Sequence, residues 1–132
     1  MIERAAVESL LQRLYAARIA GNLDALCDLF APDAVFEISG VSQSKPIAIR
    51  TAGSREFRPW LALLLKTFRL TDHVLLTLII DDNKAAVRWR ASIHSRITGA
   101  AVMTDVVDLI EITDTHIVSY IEFFSGTMPG KS

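Results

Sequence analysis

The stretch AVMTDVVDLIEIT at residues 101–113, followed two residues later by HIVSYIEFFS at 116–125, decides how the rest of the chain is read. Successive side chains of a strand point to opposite faces, so each stretch divides into two sets. One set of the first is Val102, Thr104, Val106, Asp108, Ile110 and Ile112; one set of the second is His116, Val118, Tyr120, Glu122 and Phe124. Each is largely apolar but carries one carboxylate. Burying an ionised carboxyl without a partner is costly, so such a residue predicts a pocket, a partner or a raised pKa. Asp108 and Glu122 are therefore the leading candidates for a ligand site.

Working outward, period two continues upstream over residues 71–80 and 85–98. Asp81, Asp82 and Asn83 mark the first turn, Gly99 the second, and Thr113, Asp114 and Thr115 the third. Three tight hairpins in succession predict an antiparallel meander. Nearer the N-terminus, Val7, Leu10, Leu11, Leu14 and Ala17 recur at helical spacing within residues 2–20. Gly21 suits the end of that helix and Asn22 the cap of a second, over residues 23–30, stopped by Pro32. A strand is predicted over 33–39, then a long loop over 40–53 that rims the pocket and holds one short strand near 47–50. Ser54 is placed as the cap of a third helix reaching residue 68 through Pro59. No repeat, linker or low-complexity run interrupts the pattern, so residues 1–132 are read as a single domain.

The balance of 14 basic and 15 acidic residues, without a basic stripe, argues against a nucleic-acid partner. A lone Cys27 forms no internal disulfide, and no apolar run is long enough to span a membrane, so a soluble, cytoplasmic protein is expected with no membrane partner. The apolar fraction of 51% sits at the upper edge of the globular range and predicts self-association. No cluster has metal-ligand spacing and no phosphate-binding loop is present, so neither a metal nor a cofactor is expected.

The order of two helices, a strand, a loop, a third helix and a meander resembles the SnoaL-like and ketosteroid-isomerase-like branch of the nuclear-transport-factor-2-like superfamily. The resemblance is carried by Ala20-Gly21-Asn22-Leu23-Asp24-Ala25-Leu26 through Leu29-Phe30-Ala31-Pro32-Asp33-Ala34-Val35, and by Val107-Asp108-Leu109-Ile110 with Ile117-Val118 through Phe123-Phe124. It implies an α+β cone: a curved antiparallel sheet wrapped around three N-terminal helices, with an internal cavity for a small, largely apolar organic molecule. It also implies a homodimer packed sheet face to sheet face.

Steroid isomerases of this superfamily use an aspartate base together with a tyrosine and a protonated aspartate that bind the oxyanion. Laid on that pattern through its Ala-Gly and Phe-Ala anchors, this chain has Ile38 at the base, Leu14 at the tyrosine and Asp108 at the second aspartate. Tyr15 is one residue off, a rotation of about 100° on a helix, which points it elsewhere. Steroid-isomerase chemistry in its known form is thus disfavoured. Epoxide hydrolases of the superfamily pair an acid on the last strand with an Arg-x-Asp on a neighbouring one; here Arg88-Trp89-Arg90 leaves that motif incomplete.

Asp108 is expected as acid or oxyanion donor, and Glu122 or His73 as base, His73 resembling the family's T-x-H strand start. The structural alternative for Glu122 is an ion pair with Arg88 or Arg90. Phe36, Trp60, Trp89 and Phe124 are expected to wall the cavity, with Tyr15, Ile38 and Tyr120 also touching the ligand. His94 and His116 are assigned to outer positions. Two functional classes stay open: a cofactor-independent acid-base enzyme (isomerase, cyclase, dehydratase or hydrolase type), or a non-catalytic binding or dimerisation module with structural carboxyls. Carboxyls lining a cavity without an arginine partner favour the first, and paired carboxyls the second.

Overall fold

The structure, a computed structural model, describes residues 3–42, 45–113 and 115–127; residue 2, where the first helix is expected to start, and Asp114 of the last turn lie outside them. Helix α1 (Arg4–Ala20) buries Val7, Leu10, Leu11, Leu14 and Ala17, the stripe its periodicity predicts. It ends at Gly21, whose φ of 71° is left-handed and costs glycine little, with the Asn22 amide bonded to the Ala17 carbonyl at 2.9 Å. Asn22 also caps α2 (Leu23–Cys27), its side chain accepting from the Ala25 amide at 3.1 Å.

The second helix is shorter than predicted because the chain has already entered a strand, β1 (Phe30–Ser42), before it reaches Pro32. Pairing with a distant strand overrides local helix signals here: Phe30 lies against Ile117, and the Ile117 amide donates to the Leu29 carbonyl at 2.8 Å. Most of the predicted loop is likewise strand, β2 (Lys45–Ala52), paired antiparallel to β1 with Ile38 opposite Ile49. Its Pro46 is tolerated because β2 is an edge strand, where a missing amide need not break a ladder. Helix α3 (Ser54–Thr67) is capped differently from prediction. Gly53 occupies the cap at φ 85°, and the Glu56 carboxylate reaches back to the Ala52 amide at 2.9 Å.

The meander follows as β3 (Phe68–Asp81), β4 (Lys84–Ser95), β5 (Ala101–Thr113) and β6 (His116–Thr127). All six strands join one curved, unclosed sheet in the order β2-β1-β6-β5-β4-β3. The fold is the expected α+β cone, except that β1 and β6 run parallel. The helices cover the inner face, where Trp89, Tyr120, Phe36 and Phe57 are the bulkiest fully buried side chains. An irregularity between Glu111 and Ile112 shifts the phase of β6 at its start. Ile117 is buried and His116 exposed there, while Tyr120 and Glu122 point inward as predicted. On the outer face Met103, Val107, Leu109 and Phe123 are exposed.

Gly40 lies opposite Phe124 where β1 meets β6. A Cβ there would stand 2.5 Å from the Phe124 carbonyl oxygen and 2.6 Å from its ring. Backbone cannot yield as a flexible side chain does, so Gly40→Ala is expected to cost about 1–3 kcal/mol, seen as a lowered Tm in thermal denaturation.

Candidate functional site

Asp108 lies on the inner face of β5, opposite Val87 of β4 and Glu122 of β6, and is completely buried. Three donors converge on its Oδ2: the Tyr15 hydroxyl at 2.5 Å, the Tyr120 hydroxyl at 2.7 Å and the Trp89 indole N–H at 2.8 Å. Its Oδ1 is buried with no partner among the described residues. The expectation that Tyr15 points elsewhere is corrected. Tyr15, not Leu14, reaches the aspartate from α1, because Leu14 faces the apolar interior while the next residue turns toward the β4 side of the sheet.

Glu122 is paired as well, but not with Arg88 or Arg90. Arg90 faces the outer side and pairs with Asp105 at 2.6 Å. Glu122 instead takes Arg18, from the last turn of α1, whose side chain is only 11% exposed. The same Arg18 Nη1 donates to the Tyr120 hydroxyl at 3.0 Å, and the guanidinium carbon lies 5.2 Å from the Trp89 ring centre. Sequence reasoning missed Arg18. A signal was present: it follows Leu14 by four and Tyr15 by three, placing a charge in the apolar stripe of α1.

These groups set one another's acidity. Burial, helped by the nearby Glu122 charge, pushes Asp108 up to about 7, against the pull of Arg18 and of the donors Tyr15 and Trp89. Burial and the Asp108 charge raise both Tyr15 and Tyr120 well above the usual phenol range. Burial works against the Arg18 charge, but Glu122 and its other neighbours keep it firmly protonated. His73 is pushed below its ordinary value by burial and by Arg18, which favours the neutral imidazole.

His73 reaches this cluster through an irregularity of β3 between Thr71 and Val74, where Asp72 adopts a left-handed φ of 55°. Its ring lies 5.0 Å from that of Trp89 and 5.3 Å from that of Tyr15, and its Nε2 is buried without a partner among the described residues. Phe36 packs 5.7 Å from the Tyr120 ring, and Ile38 sits in register with Glu122. Phe124 is half-buried near the same end of the sheet, whereas Trp60 stands apart on α3, 38% exposed. His94 bonds Thr71 at 2.8 Å, and His116 is exposed.

An interior cavity lies between Leu14 and Arg18 of α1, Leu61 and Leu64 of α3, and Phe36 and Tyr120 of the sheet. Its volume is about 10 Å³, roughly the room one water needs, so it is far smaller than an organic ligand. The predicted rim loop is mostly the edge strand β2, and none of its described residues borders this cavity.

The three helices on a curved six-stranded sheet and the polar cluster under α1 define a cone of the nuclear-transport-factor-2-like class. The chain belongs to the SnoaL-like domain family, whose model matches residues 11–120. Among solved structures it is similar to a Bacillus subtilis protein provisionally assigned as an isomerase, 19% identical over 95% of this chain and 90% of that one, with a TM-score of 0.81. It is also similar to an LEH-like epoxide hydrolase of M. tuberculosis (15% identity, 92% and 84% coverage, TM-score 0.73). A third is a Catenulispora acidiphila protein with a ketosteroid isomerase-like fold, in complex with trimethylamine (15%, 88% and 85%, TM-score 0.72). A search of curated protein sequences finds no match.

Two opposed pH dependences are expected. Asp108 is raised from 3.8 to about 7 by folding, so its contribution to stability is full below pH 3.8 and is lost as pH climbs to about 7. His73 is lowered from 6.5, so its contribution grows as pH rises toward 6.5. In thermal denaturation the Tm of Asp108→Asn relative to wild type should therefore increase from pH 4 to 7. That of His73→Gln should decrease up to about pH 6.5.

Proposed function

We propose that this protein binds a small, largely apolar organic molecule between its helices and the inner sheet face, and converts it by cofactor-independent acid-base chemistry. The reaction is of isomerase, cyclase, dehydratase or hydrolase type. The observation that carries this reading is a buried carboxyl group, Asp108, held near neutral acidity one hydrogen bond behind Tyr120, whose ring borders the cavity. A group titrating near the working pH is an efficient proton donor and acceptor. In this reading Asp108 supplies the acid proton or stabilises an oxyanion, Tyr120 and Tyr15 orient it, and neutral His73 or Glu122 is the base.

Glu122 lies directly across from Ile38, the position where the resembled isomerases keep their base, so the carboxylate has moved one strand over. The names of the isomerase-like and epoxide hydrolase-like neighbours support the reaction class, and the trimethylamine bound by one of them supports a small organic ligand in this fold.

Two observations favour the alternative, a non-catalytic module: the cavity is about 10 Å³ and Glu122 is already paired. A panel of cyclic enones, lactones and epoxides separates the two. Wild type is expected to be stabilised by a member of the panel and to turn it over, monitored by NMR in deuterated buffer. Asp108→Asn should turn over about 100-fold more slowly or worse, the loss expected for a missing general acid. Equal thermal shifts and equal rates for both proteins would leave Asp108 a structural residue.

We also place the protein in the cytoplasm as a homodimer joined through the outer sheet face, where Val107, Leu109 and Phe123 are exposed together. Light scattering should give twice the chain mass for wild type and the single mass for Leu109→Glu.

A further inference from the structure

We infer that the Arg18–Glu122 ion pair is a charge filter for the cavity, admitting uncharged amphipaths with one hydrogen-bond acceptor and refusing carboxylates and ammonium ions of the same shape. The inference rests on the ligand-cavity reading above and adds to it the class of ligand. Among the described residues Arg18 and Tyr120 are the only polar ones bordering the cavity; its other walls are leucines and phenylalanines. The polar end offers donors more than acceptors. Arg18 Nη1 already serves Glu122 and Tyr120, but Nη2 makes only a long contact of 3.4 Å, leaving guanidinium N–H groups to spare. The Tyr120 hydroxyl is occupied at once as donor to Asp108 and acceptor from Arg18.

The charge count then selects the ligand. Arg18 is balanced by Glu122, and both side chains are nearly dry, so the pair presents hydrogen-bond donors without net charge. A carboxylate placed there adds an uncompensated anion beside Glu122 and Asp108, in surroundings that screen poorly. An ammonium ion meets the Arg18 charge, and neither Arg18 nor Tyr120 at the cavity border offers it a free acceptor. A ketone, ester or ether oxygen accepts a guanidinium N–H and lays its hydrocarbon against Leu61 and Leu64, and the half-buried Leu64 and Leu65 of α3 must give way to admit it. With the Glu122 charge removed and Asp108 made uncharged, Arg18 becomes an unbalanced cation and the preference moves to the carboxylate.

The test uses 2-hexanone, hexanoate and hexylammonium, each titrated into the full chain at pH 6, where Asp108 is protonated, and at constant salt, with dissociation constants read by NMR shifts. Wild type is expected to bind 2-hexanone at least about tenfold more tightly than either ion, and the double variant Glu122→Gln with Asp108→Asn to prefer hexanoate by a similar factor. Glu122→Asp should retain the wild-type order. Hexanoate binding wild type as tightly as the ketone, or an unchanged order in the double variant, overturns the filter and leaves the cavity reading standing. Binding of none of the three to wild type overturns the cavity reading and the filter with it. The wild-type series is decisive by itself if the double variant fails to fold.

Discussion

The structure turns on a single oxygen atom. Asp108 Oδ2 receives hydrogen bonds from a helix and from the strands on either side of its own, by way of Tyr15, Trp89 and Tyr120. Hydrogen bonds to a charged acceptor are among the stronger ones, and a buried carboxylate without them would be heavily destabilising. One carboxyl therefore fixes which side of α1 faces the sheet. Arg18, three residues beyond Tyr15 on the same side of that helix, repeats the constraint with Glu122. Two polar tethers one turn apart set both the rotation and the axial position of α1, which leucines alone specify loosely.

This arrangement also bears on how chemistry is redistributed within a family fold. The tyrosine and aspartate that bind an oxyanion in the resembled isomerases have counterparts in Tyr15 and Asp108, although the tyrosine comes from one position further along the helix. The base position, by contrast, is the apolar Ile38, and the carboxylate in register with it, Glu122 on the adjoining strand, has a guanidinium partner. Buried ion pairs add little net stability against a well-packed apolar substitute, so this one fixes the placement of α1 more than it adds to stability.

Much of this was legible in the chain itself. Period two exposed Asp108 and Glu122 as carboxyls facing inward, and the helical stripe, the glycine and asparagine caps and the hairpin turns located most elements. What stayed hidden was set by distant partners. Phe30 looks helical by local pattern and becomes strand because Ile117 is available to pair with it. Residues 45–52 read as loop, with only a short strand near 47–50, from their proline and polar flanks, yet an edge strand accepts both and extends over the whole segment. Arg18 near the end of a helix is readily taken as a complement to the helix dipole, and only the sheet beneath it reveals a buried partner. Tyr15 was misjudged because a motif alignment carries residue spacing but not the rotation of a helix about its axis.

The parallel contact between β1 and β6 has an effect on how the protein is made. β6 lies between β1 and β5, so among the described residues the sheet's two halves, β2-β1 and β5-β4-β3, are joined in the hydrogen-bonded ladder through residues 116–127. On a ribosome both halves exist before the strand that joins them has been synthesised, each with an unpaired edge and the hydrophobic surface that goes with it. Closing that gap links residues almost ninety apart, Phe30 with Ile117, a long loop to order late in folding. Completion of the core is thereby coupled to synthesis of the same strand that carries Tyr120 and Glu122, so a chain cut short of it lacks both the seam and these two side chains.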